Sequence, residues 1–233
     1  MYHAVAQVEE DPNRLCVSPQ TFDAQMAHLR DRGLRGVAVR NLRRAVMAGK
    51  AAGLVGITFD DGYQDFLESA VPLLERYAFS ATVFAVADRL GGENDWEHSY
   101  EPRPPMELMT AAGLREASER GMEVGSHSMT HPRLSGLAPE LLREELVGSR
   151  DLLGELLGEE VEGFCYPYGD LDDGALRAAR SAGYAYACAW KTRVQHSDYD
   201  LFRTPVDEQD NLRRFKLKLR IYPQYTRVTS LLR

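Results

Sequence analysis

Cysteine is scarce. The 233 residues hold three thiols, Cys16, Cys165 and Cys188, an odd number at wide spacing. That excludes a disulfide framework and favours a reducing compartment. No apolar run approaches the roughly 20 residues of a membrane-spanning helix. The opening residues, with His3, Glu9, Glu10 and Asp11, do not read as a secretory signal. These absences predict a cytoplasmic protein with no membrane span. Positive charge is also in deficit, with 28 Lys and Arg against 35 Asp and Glu, a net of −7. A nucleic-acid surface needs a basic stripe. The one local cluster, Arg213 to Arg220, reads as the solvated face of a helix. Histidine is rare as well, six in the chain, so a histidine pair at ligand spacing carries weight.

What is present is ordinary for a soluble globular chain: 44% hydrophobic and 27% charged residues. The length suits a single α/β barrel. No repeat or second domain is visible, so 1–233 is expected to be one catalytic domain. Strand-like and helix-like stretches alternate. A first strand is expected around Val5. Ser18 and Pro19 open a helix running to about Arg32 as N-cap and first helical residue. A strand at Gly36–Val39 and a helix at Asn41–Ala48 follow. Then come a strand over Val55–Phe59, a helix over Asp65–Tyr77, a strand over Ala81–Val86 and a helix over Thr110–Arg120. Pro139–Leu157 is the clearest amphipathic helix. A helix near Asp173–Ala182 and a strand at Tyr184–Trp190 close the series. Such alternation predicts a parallel sheet with right-handed crossovers.

Three motifs fall at strand ends. Val55 to Phe59 runs into Asp60-Asp61-Gly62. Adjacent strand residues face opposite ways, but a bend there can bring both carboxylates to one cavity. One acid can then hold a metal while the other stays free as a base. Asp-Gly is also a common turn dipeptide, so the pair alone decides nothing. Met122 to Ser126 reads as a strand leading to His127-Ser128-Met129-Thr130-His131-Pro132. Two histidines four apart suit a metal such as zinc, and Pro132 biases His131 towards a loop. Gly163 to Cys165 leads into Tyr166-Pro167-Tyr168-Gly169, a rigid turn that can aim a backbone N–H at an oxyanion.

Taken in order, Thr58-Phe59-Asp60-Asp61-Gly62-Tyr63, His127-Ser128-Met129-Thr130-His131 and Tyr166-Pro167-Tyr168-Gly169 resemble the polysaccharide deacetylases, carbohydrate esterase family 4. The likeness spans roughly Val17 to Val206. It implies an α/β fold, a distorted, incomplete (β/α) barrel with its site at the strand C-terminal ends. It implies removal of N-acetyl groups from an N-acetylated carbohydrate. Carried over residue by residue, Asp60 is the general base, and Asp61, His127 and His131 bind a divalent metal. Zn²⁺ heads the expected ions, with Co²⁺, Mn²⁺ and Ni²⁺ behind it. The Tyr168 amide helps hold the oxyanion.

Two departures stand out. Many members carry an arginine in the third motif that orients the base; here Cys165 and Tyr166 occupy that neighbourhood. Arg203 is the candidate replacement. Many also carry a late Leu-x-x-His as general acid, which this chain lacks. Met1-Tyr2-His3 instead resembles the circularly rearranged branch that includes the biofilm poly-N-acetylglucosamine deacetylases, whose acid lies near the amino end. That assigns the acid to His3, with His196 next. Residues 90–105 read as a loop capping the groove, with Trp96 and Tyr100 available to stack on sugars. His98 is a weak alternative ligand. Two other readings stand: a non-haem iron oxygenase using the His/His/Asp set, detectable by oxygen consumption, and a carbohydrate-binding pseudoenzyme, which would bind sugar without releasing acetate.

Overall fold

The computed structural model describes residues 1–96, 105–190 and 197–220. Helix α1 (Pro19–Asp31) starts where Ser18 accepts the Thr21 N–H at 3.2 Å, with Pro19 in the first turn. Phe22, Met26 and Leu29 recur on its buried face. Strands β1 (Arg35–Val37) and β2 (Leu54–Gly56) pair in parallel, joined by α2 (Val39–Met47).

A six-stranded parallel sheet carries the molecule, in sequential order: β3 (Thr58–Phe59), β4 (Thr82–Ala85), β5 (Glu123–Ser126), β6 (Gly163–Cys165), β7 (Tyr186–Ala189) and β8 (Leu201–Phe202). β3 to β7 are buried along their whole lengths, as expected when helices cover a parallel sheet. Those helices are α3 (Val71–Arg76), α4 (Ala111–Glu119), the α5–α6 pair (Pro139–Arg143 and Ser149–Leu157) and α7 (Asp173–Ser181). Caps set their starts: Thr110 accepts the Gly113 N–H, and Asp172 the Ala175 N–H.

This is the distorted, incomplete barrel expected. Its open seam, between β3 and the chain beyond β8, is filled by the first residues. Tyr2 donates its N–H to the Thr58 carbonyl at 2.8 Å and accepts from the Asp60 N–H at 3.0 Å. On the other side, the Met1 nitrogen donates to the Thr204 carbonyl at 2.9 Å. The Val206 N–H donates to the Met1 carbonyl, also at 2.9 Å. The first strand-like pairing is thus at Tyr2, bridged to Phe59, rather than at Val5.

Other expectations shift in detail. The strand expected over Val55–Phe59 changes partners at Ile57: its first half pairs with β1 and its second with β4. The Pro139–Leu157 helix contains a π turn at Glu144–Gly148, and the Asp65–Tyr77 helix one at Phe66–Ala70. No helix among the described residues is long and apolar enough to cross a membrane.

Candidate metal centre

β3 ends at Phe59, and the next two residues diverge. Asp61 takes φ 71°, a left-handed turn unusual for a residue with a side chain. That turn swings its carboxylate back towards the cavity Asp60 faces, and both acids are buried. His127 leaves the end of β5. Its Nδ1 contacts the Cys165 carbonyl at 2.8 Å. An Nδ1–H donated there leaves the Nε2 lone pair facing inward. His127 Nε2 and His131 Nε2 each lie 3.4 Å from the same oxygen, Asp61 Oδ1.

That spacing fits a metal. A tetrahedral ion with bonds of about 2.0–2.1 Å holds its ligands about 3.4 Å apart. Electrostatics agree. Burial opposes charge on Asp61, yet hydrogen bonds from His127 and His131 hold its carboxyl well below the usual range. Burial also opposes charge on His127, yet Cys165 and Asp61 hold its imidazole well above the ordinary value. The Asp61 shift expresses a demand for positive charge beside that carboxylate. His131 is pushed down by burial to about 4, a neutral ring suited to ligation. Its ring packs between Trp96 and Tyr168, at centroid distances of 4.4 and 4.7 Å.

Beside this cluster Arg203, just past β8, forks onto Asp60. Nη1 to Oδ1 is 2.5 Å and Nη2 to Oδ2 is 2.8 Å. Burial would raise the Asp60 carboxyl, but the Arg203 charge and hydrogen bonds hold it at about 2. Cys165 completes the contact: Arg203 Nη2 donates to its Sγ at 2.9 Å, and Sγ lies 3.6 Å from Asp60 Oδ2. Asp60, His127 and Cys165 also lie within 4.8 Å of one another. The guanidinium already places a fixed positive charge there and repels a cation, so of the two groupings Asp61, His127 and His131 is the better suited to one.

The structure therefore brings Asp60, Asp61, His127, His131 and Arg203 together. His3, beside the seam pairing of Tyr2, feels the same charges: burial lowers its imidazole, and the charges of Asp61 and Asp60 offset that only in part. Tyr168 stands at the rim with φ 58°, its ring 4.5 Å from the Arg133 guanidinium carbon. One expectation changes. Trp96 is no sugar platform: it is buried and packs on His131. Cys165, in the third motif, touches both Asp60 and Arg203. Tyr100, His98 and His196 lie outside the described residues.

An incomplete parallel barrel with a buried Asp-His-His cluster at its strand ends defines a class of α/β proteins with a candidate metal site. The family model described as polysaccharide deacetylase matches residues 48–187, and the chain belongs to that family. Dependence on a metal is a property of that family, and the cluster is consistent with it. YxkH of Bacillus subtilis, named provisionally as a polysaccharide deacetylase, is 28% identical over 186 residues, 79% of this chain and 61% of its own length. The poly-beta-1,6-N-acetyl-D-glucosamine N-deacetylase of Staphylococcus epidermidis is 22% identical over 196 residues, 81% of this chain. This chain spans 66% of that relative. Among solved structures, Streptococcus pyogenes deacetylase PplD, in complex with acetate, shares the fold at a TM-score of 0.79 and 22% identity. That likeness covers 93% of this chain and 95% of the other.

Proposed function

We propose that residues 1–233 act as one catalytic domain, a metal-dependent hydrolase that removes N-acetyl groups from an amino sugar or its polymer. One observation carries the reading: an Asp61–His127–His131 cluster at metal-ligand spacing lies beside a carboxylate that Arg203 keeps out of it. A divalent ion held by the three ligands, Zn²⁺ first among candidates, supplies Lewis acidity and a lowered pKa for bound water.

The chain's own groups do the rest. Asp60, ionised at every working pH, takes a proton from the attacking water. Arg203 fixes its orientation and leaves it a base rather than a ligand. The Tyr168 amide donates to the oxygen that gains charge. His3, neutral at rest because burial lowers it, acts as a relay: it receives the proton that Asp60 gives up and delivers it to the departing amine. The C–N bond breaks, and acetate and a free amino sugar leave. The S. epidermidis relative makes β-1,6-linked N-acetylglucosamine polymer a substrate to try first. A panel of N-acetylated sugars and polymers, assayed for acetate with Zn²⁺, Co²⁺, Mn²⁺ and Ni²⁺, tests the reading. Sugar binding with no acetate from any of them would leave a carbohydrate-binding protein instead.

A further inference from the structure

The geometry points to Glu145 as a positioning residue for the metal centre, acting on His131 through the backbone; this rests on the metal reading above. His127 is held by its strand. His131 is not. It sits in a loop where Ser128 has φ 72° and His131 itself φ 66°. Left-handed backbone at a residue with a side chain costs about 1–2 kcal/mol, and two such residues in one short loop need support from outside it.

Glu145 supplies that support. Its Oε2 accepts the Met129 and Thr130 N–H groups at 2.9 and 3.0 Å, and its Oε1 accepts the Thr130 hydroxyl at 2.6 Å. It takes both peptide donors midway between the two histidines. From the opposite side, the Ala87 and Asp88 N–H groups donate to the Ser128 and Met129 carbonyls at 3.1 and 3.0 Å. The loop is clamped between them. Glu145 lies in the π turn Glu144–Gly148, a device often found at functional sites. That turn is tied to β5: Ser149 Oγ donates to the Glu145 carbonyl at 2.6 Å and lies 2.8 Å from Ser126 Oγ. One carboxylate thus sets the His131 loop relative to the strand that carries His127, and so fixes where His131 Nε2 meets Asp61.

Zn²⁺ affinity of metal-stripped protein, measured by competition with a chromophoric chelator, tests this, with the Tm of the metal-free protein recorded beside it. Glu145→Ala should bind Zn²⁺ about 10–100-fold more weakly, the usual cost of losing an outer support. Glu145→Gln, whose amide oxygen can still accept the two N–H groups, should recover part of the loss. Glu144→Ala, a neighbour with an exposed side chain, should match wild type. A lower Tm with unchanged Zn²⁺ affinity in Glu145→Ala marks a merely structural residue and overturns the inference. If that variant does not fold, Thr130→Val, which deletes one of the three bonds, must still bind several-fold more weakly. Full affinity in both Thr130→Val and Glu145→Gln then overturns it. Absence of Zn²⁺ uptake by wild type removes the metal reading along with it, whereas normal uptake with an indifferent Glu145 removes this inference alone.

Discussion

At the scale of single residues, division of labour between neighbours makes the sharpest predictions. His131→Ala should abolish tight metal uptake, because it removes one of two imidazoles 3.4 Å from Asp61; elemental analysis of the purified variant decides it, and unchanged metal refutes the ligand set. Asp60→Asn should keep its metal and fold but lose nearly all acetate release, since the amide cannot accept the water's proton. Loss of metal along with activity would make Asp60 a ligand. His3→Ala should slow amide cleavage by about 10²–10⁴-fold, the typical worth of a positioned acid. Its metal content should stay normal, and an ester with a better leaving group should suffer much less. Equal losses on amide and ester would take the proton-delivery role away from His3.

At the scale of elements, the seam strand is the testable piece. The Tyr2 ring stacks on Phe59 at 5.4 Å and meets Phe22 edge-on at 5.1 Å, and its hydroxyl donates to Gln25 Oε1 at 2.8 Å. Tyr2→Phe keeps the ring packing but leaves a buried acceptor unpaired, so it should cost about 1–3 kcal/mol in a urea melt. A neutral result would mean that water serves Gln25. Elements with their own chemical signals were legible in the sequence: Ser18-Pro19 at α1, Thr110 at α4, and the apolar runs of β4 and β7. The three motifs were legible as strand ends, and their convergence followed from barrel topology. What could not be read is what depends on partners far along the chain. Tyr2 has no strand pattern of its own and pairs only because β3 offers an open edge. The π turns leave the 3.6-residue apolar rhythm nearly intact, so Leu142, Leu146 and Leu153 look like one regular face. Trp96 looks like a sugar platform until His131 is seen beneath it. Cys165 looks apolar because nothing local announces Arg203.

At the scale of the whole molecule, acid–base behaviour should carry the mark of Asp65. Burial raises its carboxyl to about 6, against the pull of the Val5 N–H, which donates to Oδ1 at 2.7 Å. A raised value means that the folded state holds a proton the unfolded chain has already lost. The resulting stability is full below the ordinary carboxylate range and disappears as pH rises through about 6. Asp65→Asn can keep the bond to Val5 without titrating. Between pH 4.5 and 7.5 the variant should therefore gain on wild type, by roughly 1–2 kcal/mol given that Asp65 is only half-buried; denaturant melts at the two pH values measure it, and a change of opposite sign refutes it. The seam has a different consequence, one of timing. Asp60 and Asp61 are made well before Arg203 and the Val206 N–H that complete the closure, which arrive more than 140 residues after Asp60. Joining segments so distant along the chain costs roughly 4–5 kcal/mol in loop entropy. Until they join, Asp60 lacks its countercharge and the barrel has an unpaired edge. Asp60 thus gains the partner that fixes its orientation only once two segments far apart in the chain have met, and loses it whenever they part.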